Sequence, residues 1–592
     1  MISHDFQGSS PNICPWAHSG NSKPTDPVEA SVGPAAPRIE NQSSPQESPV
    51  PKIPDILNLE PQLSLDNDAI HALLELAFMG KEAAKGLDKQ LGILDKIGYG
   101  WNLDLFAEDL FVRELIQKGF TIAIGGVRFP VNQAFLFHVL SDPPTELGAI
   151  EFRQAILREL ESDTALLDRA KTLYQELSQL LSMFKAPDHA AKLDANAYRL
   201  DILRQAKLVI DQMAAGFGDC TSGLRRLGDS GKTLQGSEDY KMLADLLEYE
   251  GRMATLDVRL GVGADGEVKH LELVELKENQ KNRNYASPWK RLLQRLQLTL
   301  FRGYRLGPRE IVNRLLQEVF KKVGPTLTPL VQLIGQLEFY LAAVNFRDDA
   351  GRQGLAVCLP TFDETRPMSF DRVFNPLLLC EGQAPVPCSV DLRHRHGTTL
   401  ITGPNSGGKT RLLQTVGLSQ LLGQAGLYVP AASANLPRIR GLFVSLVENE
   451  TSDQAEGRLG RELMRIRHLF ESMGTPSMVI LDELCSGTNP SEGTDIFLMV
   501  LRLLERLDTV AFISTHYLDF AKELKAEPPV EDLEFLRVES REDLTSTYQF
   551  VEGVAETSLA AATAERLGVS FEKLAALVDT EESVVESAID PR

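Results

Sequence analysis

Cysteine is scarce and dispersed. The six residues, Cys14, Cys220, Cys358, Cys380, Cys388 and Cys485, form no close ligand pair and suggest no disulfide framework, which points to a reducing compartment. No apolar run has the length of a bilayer-spanning helix, so no membrane association is expected. The N-terminus lacks a basic stretch leading into an apolar one, so no secretory leader is expected either. Positive charge is in deficit: 61 Lys and Arg stand against 82 Asp and Glu, a net charge of -21. That balance argues against a chain-wide electrostatic hold on nucleic acid and leaves only local basic patches to consider. What remains, 43% hydrophobic and 24% charged residues, is ordinary for a soluble globular chain, and 592 residues exceed what one core accommodates.

Composition divides the chain. Residues 1–62 are rich in Pro and Ser, with Pro34, Pro37, Pro45, Pro49, Pro51 and Pro54 breaking regular structure, and read as a disordered tail. Residues 63–139 read as a small globular segment with no recognisable motif. Residues 140–355 read as a mostly α-helical region. Within it Leu166, Ala170, Leu173, Leu177 and Leu180 recur at the spacing of one helix seam. A β-hairpin signal, Leu256 to Val262 and Val268 to Leu276 around Asp265-Gly266, interrupts the helices. From 356 to 578 short apolar runs alternate with helices, the pattern of a mostly parallel sheet covered by helices, and 579–592 form an acidic tail.

Gly403-Pro404-Asn405-Ser406-Gly407-Gly408-Lys409-Thr410 satisfies the phosphate-binding loop pattern between a strand-like run, Thr398 to Thr402, and a helix-like run beginning at Arg411. Glycines let backbone N–H groups approach phosphate oxygens, and the helix start favours the negative charge. Lys409 would neutralise the β and γ phosphates of ATP, and Thr410 would ligate Mg²⁺. Met478 to Leu481 form a second apolar run that ends in Asp482-Glu483; Asp482 would hold Mg²⁺ and Glu483 would activate the attacking water. His516, after the apolar run ending at Thr515, is a candidate γ-phosphate sensor.

These segments resemble the ATPase domain of the MutS family. The resemblance rests on Thr402-Gly403-Pro404-Asn405 opening the loop, Gly426-Leu427-Tyr428-Val429-Pro430-Ala431, Leu481-Asp482-Glu483-Leu484 with Gly487-Thr488-Asn489, Ser514-Thr515-His516-Tyr517, and Tyr548-Gln549-Phe550 with Gly553 and Ser558. It spans about Phe374 to Leu577, with a weaker match at Leu140 to Pro144 and at Ile334 to Glu338, where Glu338 stands in place of the usual Asp. It implies an α/β P-loop NTPase domain of the ABC/MutS type after a helical core and lever region. It also implies Mg²⁺-dependent ATP hydrolysis, a homodimer with shared ATP sites, action on DNA in repair or recombination control, and a cytoplasmic location, nucleoid-associated in a bacterium.

Three departures qualify it. No Phe-x-Glu mismatch-reading segment precedes the helical region, no Smr-type nuclease extension is recognised, and the signature position for a serine holds Gly457-Arg458-Leu459, which makes Arg458 a candidate replacement. A local basic stretch, Lys277 to Arg309, carries Lys281, Arg283, Lys290, Arg291, Arg295, Arg302 and Arg305 interleaved with Tyr285, Trp289, Phe301 and Tyr304. It is a candidate DNA contact or, equally, a solvated helix face. Two alternatives stay open: an ABC- or SMC-type ATPase acting on other cargo, and an ATP-binding scaffold that hardly hydrolyses.

Overall fold

The computed structural model describes residues 54–62, 67–79, 90–91, 101–185, 195–252, 255–262, 268–277, 308–404, 406–446, 458–485, 489–541, 545–556, 569 and 571–575. Residues 1–53, Asn405, Gly457, Gly487, Thr488, Ser558, the stretch from Lys281 to Arg305 and the acidic tail 579–592 lie outside them.

After α1 (Asn67–Phe78) and the turns at 101–111, α2 (Val112–Gly119) leads into a two-stranded antiparallel hairpin, β1 (Thr121–Ile124) and β2 (Val127–Pro130). Gly125 and Gly126 close the hairpin with φ of 59° and 82°, the left-handed pair that a two-residue turn requires. α3 (Gln133–Ser141) starts at Asn132, whose side chain accepts from Phe135 N at 3.2 Å.

The helical region follows: α4 (Leu147–Ser162), α5 (Thr164–Lys185), α6 (Ala195–Gly216), α7 (Arg225–Gln235), α8 (Glu238–Arg252), the antiparallel pair β3 (Thr255–Val262) and β4 (Val268–Lys277), and α9 (Pro308–Arg352). All five seam residues of α5 are buried, so the apolar spacing decides which face turns inward. Lys277 ends β4, and Arg309 lies in the first turn of α9.

α9 has 45 residues, roughly 65 Å of helix at 1.5 Å per residue. It corrects one expectation. Its stretch Leu316–Arg352 is long and apolar enough by composition to cross a membrane, but 94% of the apolar window is buried inside the fold. The helix is apolar because α1, α4, α5, α6 and β1 pack around it. Near its end Glu338 accepts from Asn132 N at 2.7 Å and from the Tyr174 hydroxyl at 3.3 Å, which ties α9 to the start of α3.

A second difference concerns the end of the expected tail. Residues 54–62 form a strap that is buried from Pro54 to Asn58 and exposed from Leu59 to Pro61. Asp55 is fully buried; its Oδ1 accepts from Leu57 N at 2.9 Å and from Gln336 Nε2 at 2.8 Å, and its Oδ2 from Asn58 Nδ2 at 2.9 Å. Ile56 N donates to Gln336 Oε1 at 2.9 Å, and Tyr340 donates to Ile56 O at 2.6 Å. Arg153, 2% exposed, spans the strap and the C-terminal part: its Nε donates to Leu57 O and its Nη1 to Ala425 O, each at 2.9 Å.

The C-terminal part opens with β5 (Ser369–Val373), α10 (Pro376–Cys380) and β6 (Cys388–Asp391), followed by β7 (Gly397–Thr402), α11 (Lys409–Gln424), β8 (Ser433–Asn435) and β9 (Gly441–Ser445). Then come α12 (Arg458–Ser472), β10 (Ser477–Leu481), α13 (Pro490–Arg506), β11 (Thr509–Thr515), α14 (Leu518–Ala526), β12 (Leu533–Ser540) and β13 (Ser546–Glu552). A small antiparallel sheet runs β6-β5-β8, and a six-stranded sheet runs β13-β12-β7-β11-β10-β9. In the larger sheet only the β12–β13 pair is antiparallel. β10 and β11 are buried at every residue, as their unbroken apolar sequences require of central parallel strands.

α11 is buried on nearly every side, including Gln414, Gln420 and Gln424. Gln424 donates to Ile439 O at 2.6 Å and accepts from Ile439 N at 3.1 Å, and Gln420 Nε2 donates to Pro437 O at 2.8 Å, whereas Ser419 Oγ and Gln420 Oε1 are buried without a partner. A Cβ at Gly417 would stand 2.8 Å from a Leu110 methyl and 3.1 Å from an Ile480 methyl, so the 101–111 turns and the sheet sandwich this helix.

Candidate nucleotide site

Parallel strands bring their C-terminal ends to one edge, and the loops leaving that edge make the site. β7 exits into the glycine loop, β10 into Asp482-Glu483, and β11, which lies between them, into His516. The middle strand therefore supplies a contact to its neighbour. Ser514 Oγ donates to Asp482 Oδ1 and accepts from Glu483 N at 2.9 Å.

The loop is built tight. Gly403 has φ of 148°, and a Cβ there would lie 2.6 Å from Val538 Cγ2; one at Gly407 would lie 2.9 Å from Pro404 O. Gly408, at φ of 87°, turns the chain into α11. Lys409 is 3% exposed, and its Nζ donates to Gly403 O at 3.0 Å and Pro404 O at 3.2 Å, curled back into the space of the loop. Nζ is 4.0 Å from Glu483 Oε1. Burial pulls the ammonium pKa down, and the Glu483 and Asp482 carboxylates oppose that shift.

Thr410 Oγ1 donates to Asp482 Oδ2 at 2.5 Å across 72 residues of sequence. This hydroxyl and carboxylate are hard oxygen donors of the type magnesium takes alongside phosphate oxygens and water, so the pair fits that ion. Among the described residues no cluster of three or more His, Cys, Asp or Glu could hold a metal.

The chain leaving β10 is strained and tied. Glu483 and Cys485 are left-handed at φ of 49° and 63°, a conformation that costs about 1–2 kcal/mol per non-glycine residue. Hydrogen bonds hold this segment from several sides: Asp482 N to Ser445 O at 2.9 Å, Glu483 N to Ser514, Cys485 N to the Glu462 carboxylate, and the Tyr517 hydroxyl to Cys485 O at 2.8 Å. Such strain survives only where the surroundings over-determine it.

Of the residues singled out by sequence, Lys409, Thr410, Asp482 and Glu483 come together. Asn405 is outside the described residues, and Ser406 is exposed on the loop. Arg411 turns along α11, donating to Gln414 Oε1 at 2.9 Å. His516 is half-buried beside the Tyr517 ring, centroids 4.2 Å apart. Arg458 is the first residue of α12. Two residues carry more than the sequence reading assigned them. Ser514 bridges the Asp482 carboxylate and the Glu483 backbone N–H. Tyr548, at φ of 58° and half exposed, puts a ring carbon 3.2 Å from where a Cβ on Gly408 would stand. The sequence signal for Tyr548 was only an aromatic in the closing strand.

The MutS domain V family model matches residues 399–582, which contain every element of this site. Among curated proteins the chain is similar to Endonuclease MutS2 of Agathobacter rectalis, 30% identical over 266 residues, 44% of this chain and 32% of that protein. Endonuclease MutS2 of Thermomicrobium roseum is 29% identical over 276 residues, 45% of this chain and 34% of that protein. Endonuclease MutS2 of Streptococcus mutans is 35% identical over 191 residues, 31% of this chain and 24% of that protein. The chain matches about a third or less of the length of these relatives. Residues 399–582 of the chain are thus a MutS domain V, the P-loop ATPase domain of that family.

Proposed function

We propose that this chain is a Mg²⁺-dependent ATP hydrolase of the MutS type that couples nucleotide turnover to movement on DNA, in repair or recombination control. The observation that carries the reading is the convergence of a glycine loop, Lys409, Thr410, Asp482 and Glu483 at one sheet edge. Gly403, Pro404, Asn405, Ser406, Gly407, Gly408 and Arg411 complete the nucleotide-binding loop. Thr410 and Asp482 would hold Mg²⁺, which, when bound, neutralises charge on the transferred phosphoryl group.

Lys409 donates to two loop carbonyls. Triphosphate binding lets its ammonium exchange those acceptors for β and γ oxygens. Glu483, held by Ser514 through its backbone N–H, accepts a proton from the attacking water, and His516 contacts the γ-phosphate. Tyr548 stacks on the base, because an exposed ring beside the loop offers a face to any purine.

Two copies would close on shared sites, with Arg458 at the head of α12 reaching across. The helices α4 to α9 would carry that closure to DNA, with the stretch from Lys277 to Arg309 as the phosphate contact. The MutS2 relatives are called endonucleases; no nuclease centre is proposed for this chain.

The test is ATP hydrolysis with magnesium in the presence of single-stranded, branched or mismatched DNA, or none. Lys409→Ala should abolish tight nucleotide binding, and Glu483→Gln should abolish turnover. Arg458→Ala should cut turnover and leave binding intact. Charge reversal at Lys290 and Arg291 should weaken DNA binding on a filter. Wild-type protein without magnesium-dependent ATP affinity would end this reading.

A further inference from the structure

One face of α12 makes two long-range ties. Glu462 and Arg465 are three residues apart and therefore neighbours on the helix surface. Glu462 accepts from Cys485 N, two residues beyond Glu483. Arg465 Nη2 donates to Asp109 Oδ2 and, at 3.3 Å, to Val444 O. Asp109 is 5% exposed and lies in the 101–111 turns. Its Oδ2 also accepts from Leu446 N at 3.1 Å. One buried carboxylate thus fastens Leu446, just after β9, to the middle of α12. Burial raises the Asp109 pKa and the Arg465 charge opposes it, so the acid is held in place by its partners.

We propose that residues 101–119 set the rate of ATP turnover through α12, with Asp109, Arg465 and Glu462 as positioning residues for Glu483. The inference rests on the reading of Glu483 as the base. Left-handed Glu483 and Cys485 stay in that conformation because their peptides are tied, and Glu462 provides one of the ties. Arg465 fixes the rotation of the helix that carries Glu462, and Asp109 fixes Arg465. Residues 101–119 also press on α11 through Leu110. A displacement of residues 101–119 reaches the base along this path.

The test uses the full chain with Asp109→Asn, Arg465→Gln, Glu462→Gln and the Asp109→Asn/Glu462→Gln double variant. Hydrolysis of MgATP, affinity for a fluorescent ADP analogue and melting temperature are measured for each. Each single variant should lose about tenfold in kcat with nucleotide affinity within about twofold of wild type, and the double should be no slower than its slower single. Unchanged kcat in both Arg465→Gln and Glu462→Gln, or a double variant whose loss is the product of the singles, overturns the proposal. Should Asp109→Asn melt well below wild type, Arg465→Gln, altered at a partly exposed side chain, decides with Glu462→Gln. A wild type that does not hydrolyse ATP, or Glu483→Gln at the wild-type rate, refutes the ATPase reading instead. An active wild type with inactive Glu483→Gln and normal Arg465→Gln and Glu462→Gln refutes this inference alone.

Discussion

Replacing Glu483 with Gln should move two quantities in opposite directions. The carboxylate lies 4.0 Å from Lys409 Nζ, a separation at which a unit pair interacts by about 4 kcal/mol at an effective dielectric of about 20. The Glu483 side chain is 32% exposed, so solvent screening reduces the useful part to about 1 kcal/mol. Without nucleotide this attraction favours the resting position of Lys409, and the same carboxylate repels an incoming γ-phosphate. Gln keeps the shape and removes both effects. MgATP should bind about fivefold tighter at neutral pH, while turnover falls by about a hundredfold or more with the loss of the base. The pH dependence gives a second readout. Burial already lowers the Lys409 pKa, and Glu483 is the larger of the two carboxylate influences that oppose the shift. The ammonium form binds phosphate, so affinity is present below the folded pKa and lost as pH rises through it. Without Glu483 that pKa falls further, and the variant should lose affinity at lower pH than wild type. Titration of a fluorescent ATP analogue with magnesium, from about pH 7 to 10, reads both effects. Weaker binding at neutral pH, or superimposable pH profiles, would refute the electrostatic reasoning.

Other expectations follow from neighbouring features. Lys409→Ala leaves two buried carbonyls without their donor and the phosphates without their cation; ATP affinity should fall about a hundredfold in equilibrium dialysis. Gly426 ends α11 at φ of 88°, and a Cβ there would stand 2.6 Å from Arg153 Cβ, an atom that cannot swing away. Gly426→Ala should therefore cost about 3 kcal/mol, seen as a melting temperature lowered by roughly 3 °C. Burial pushes the thiols of Cys220, Cys380 and Cys388 up to about 11 and those of Cys358 and Cys485 up to about 12. The reactive thiolate is scarce below those values, so at pH 8 these five should label slowly with iodoacetamide in native protein, and all six cysteines promptly in denaturant.

The central strands were legible because nothing but a buried parallel strand suits runs such as Met478 to Leu481 and Val510 to Ser514. The glycine loop was legible because its spacing carries its own mechanism. The motifs alone put Thr410 and Asp482 on one Mg²⁺; the direct contact between them, with Ser514 hydrogen-bonded to the Asp482 carboxylate, depends on β11 lying beside both β7 and β10. The strap at 54–62 was misread as tail because proline dominates the local composition. Its burial depends on Gln336, Tyr340 and Arg153, each far along the chain. The apolar stretch of α9 is one continuous helix that carries Pro325 and Pro329 inside it. Asp109 carried no signal at all, since its partner Arg465 lies 356 residues away.

The strap also decides where the molecule can be cut. A shortened version that starts at residue 63 discards the acceptors of Arg226, Tyr340 and Gln332 and removes the carboxylate that Gln336 binds, leaving polar groups facing an emptied groove. An isolated ATPase starting at 356 gives up, in addition, the guanidinium that closes the end of α11 through Ala425 O. Deletions intended to free the catalytic unit should stop before Pro54, because the segment from Asp55 to Asn58 accepts hydrogen bonds from Gln336, Tyr340, Arg153 and Arg226.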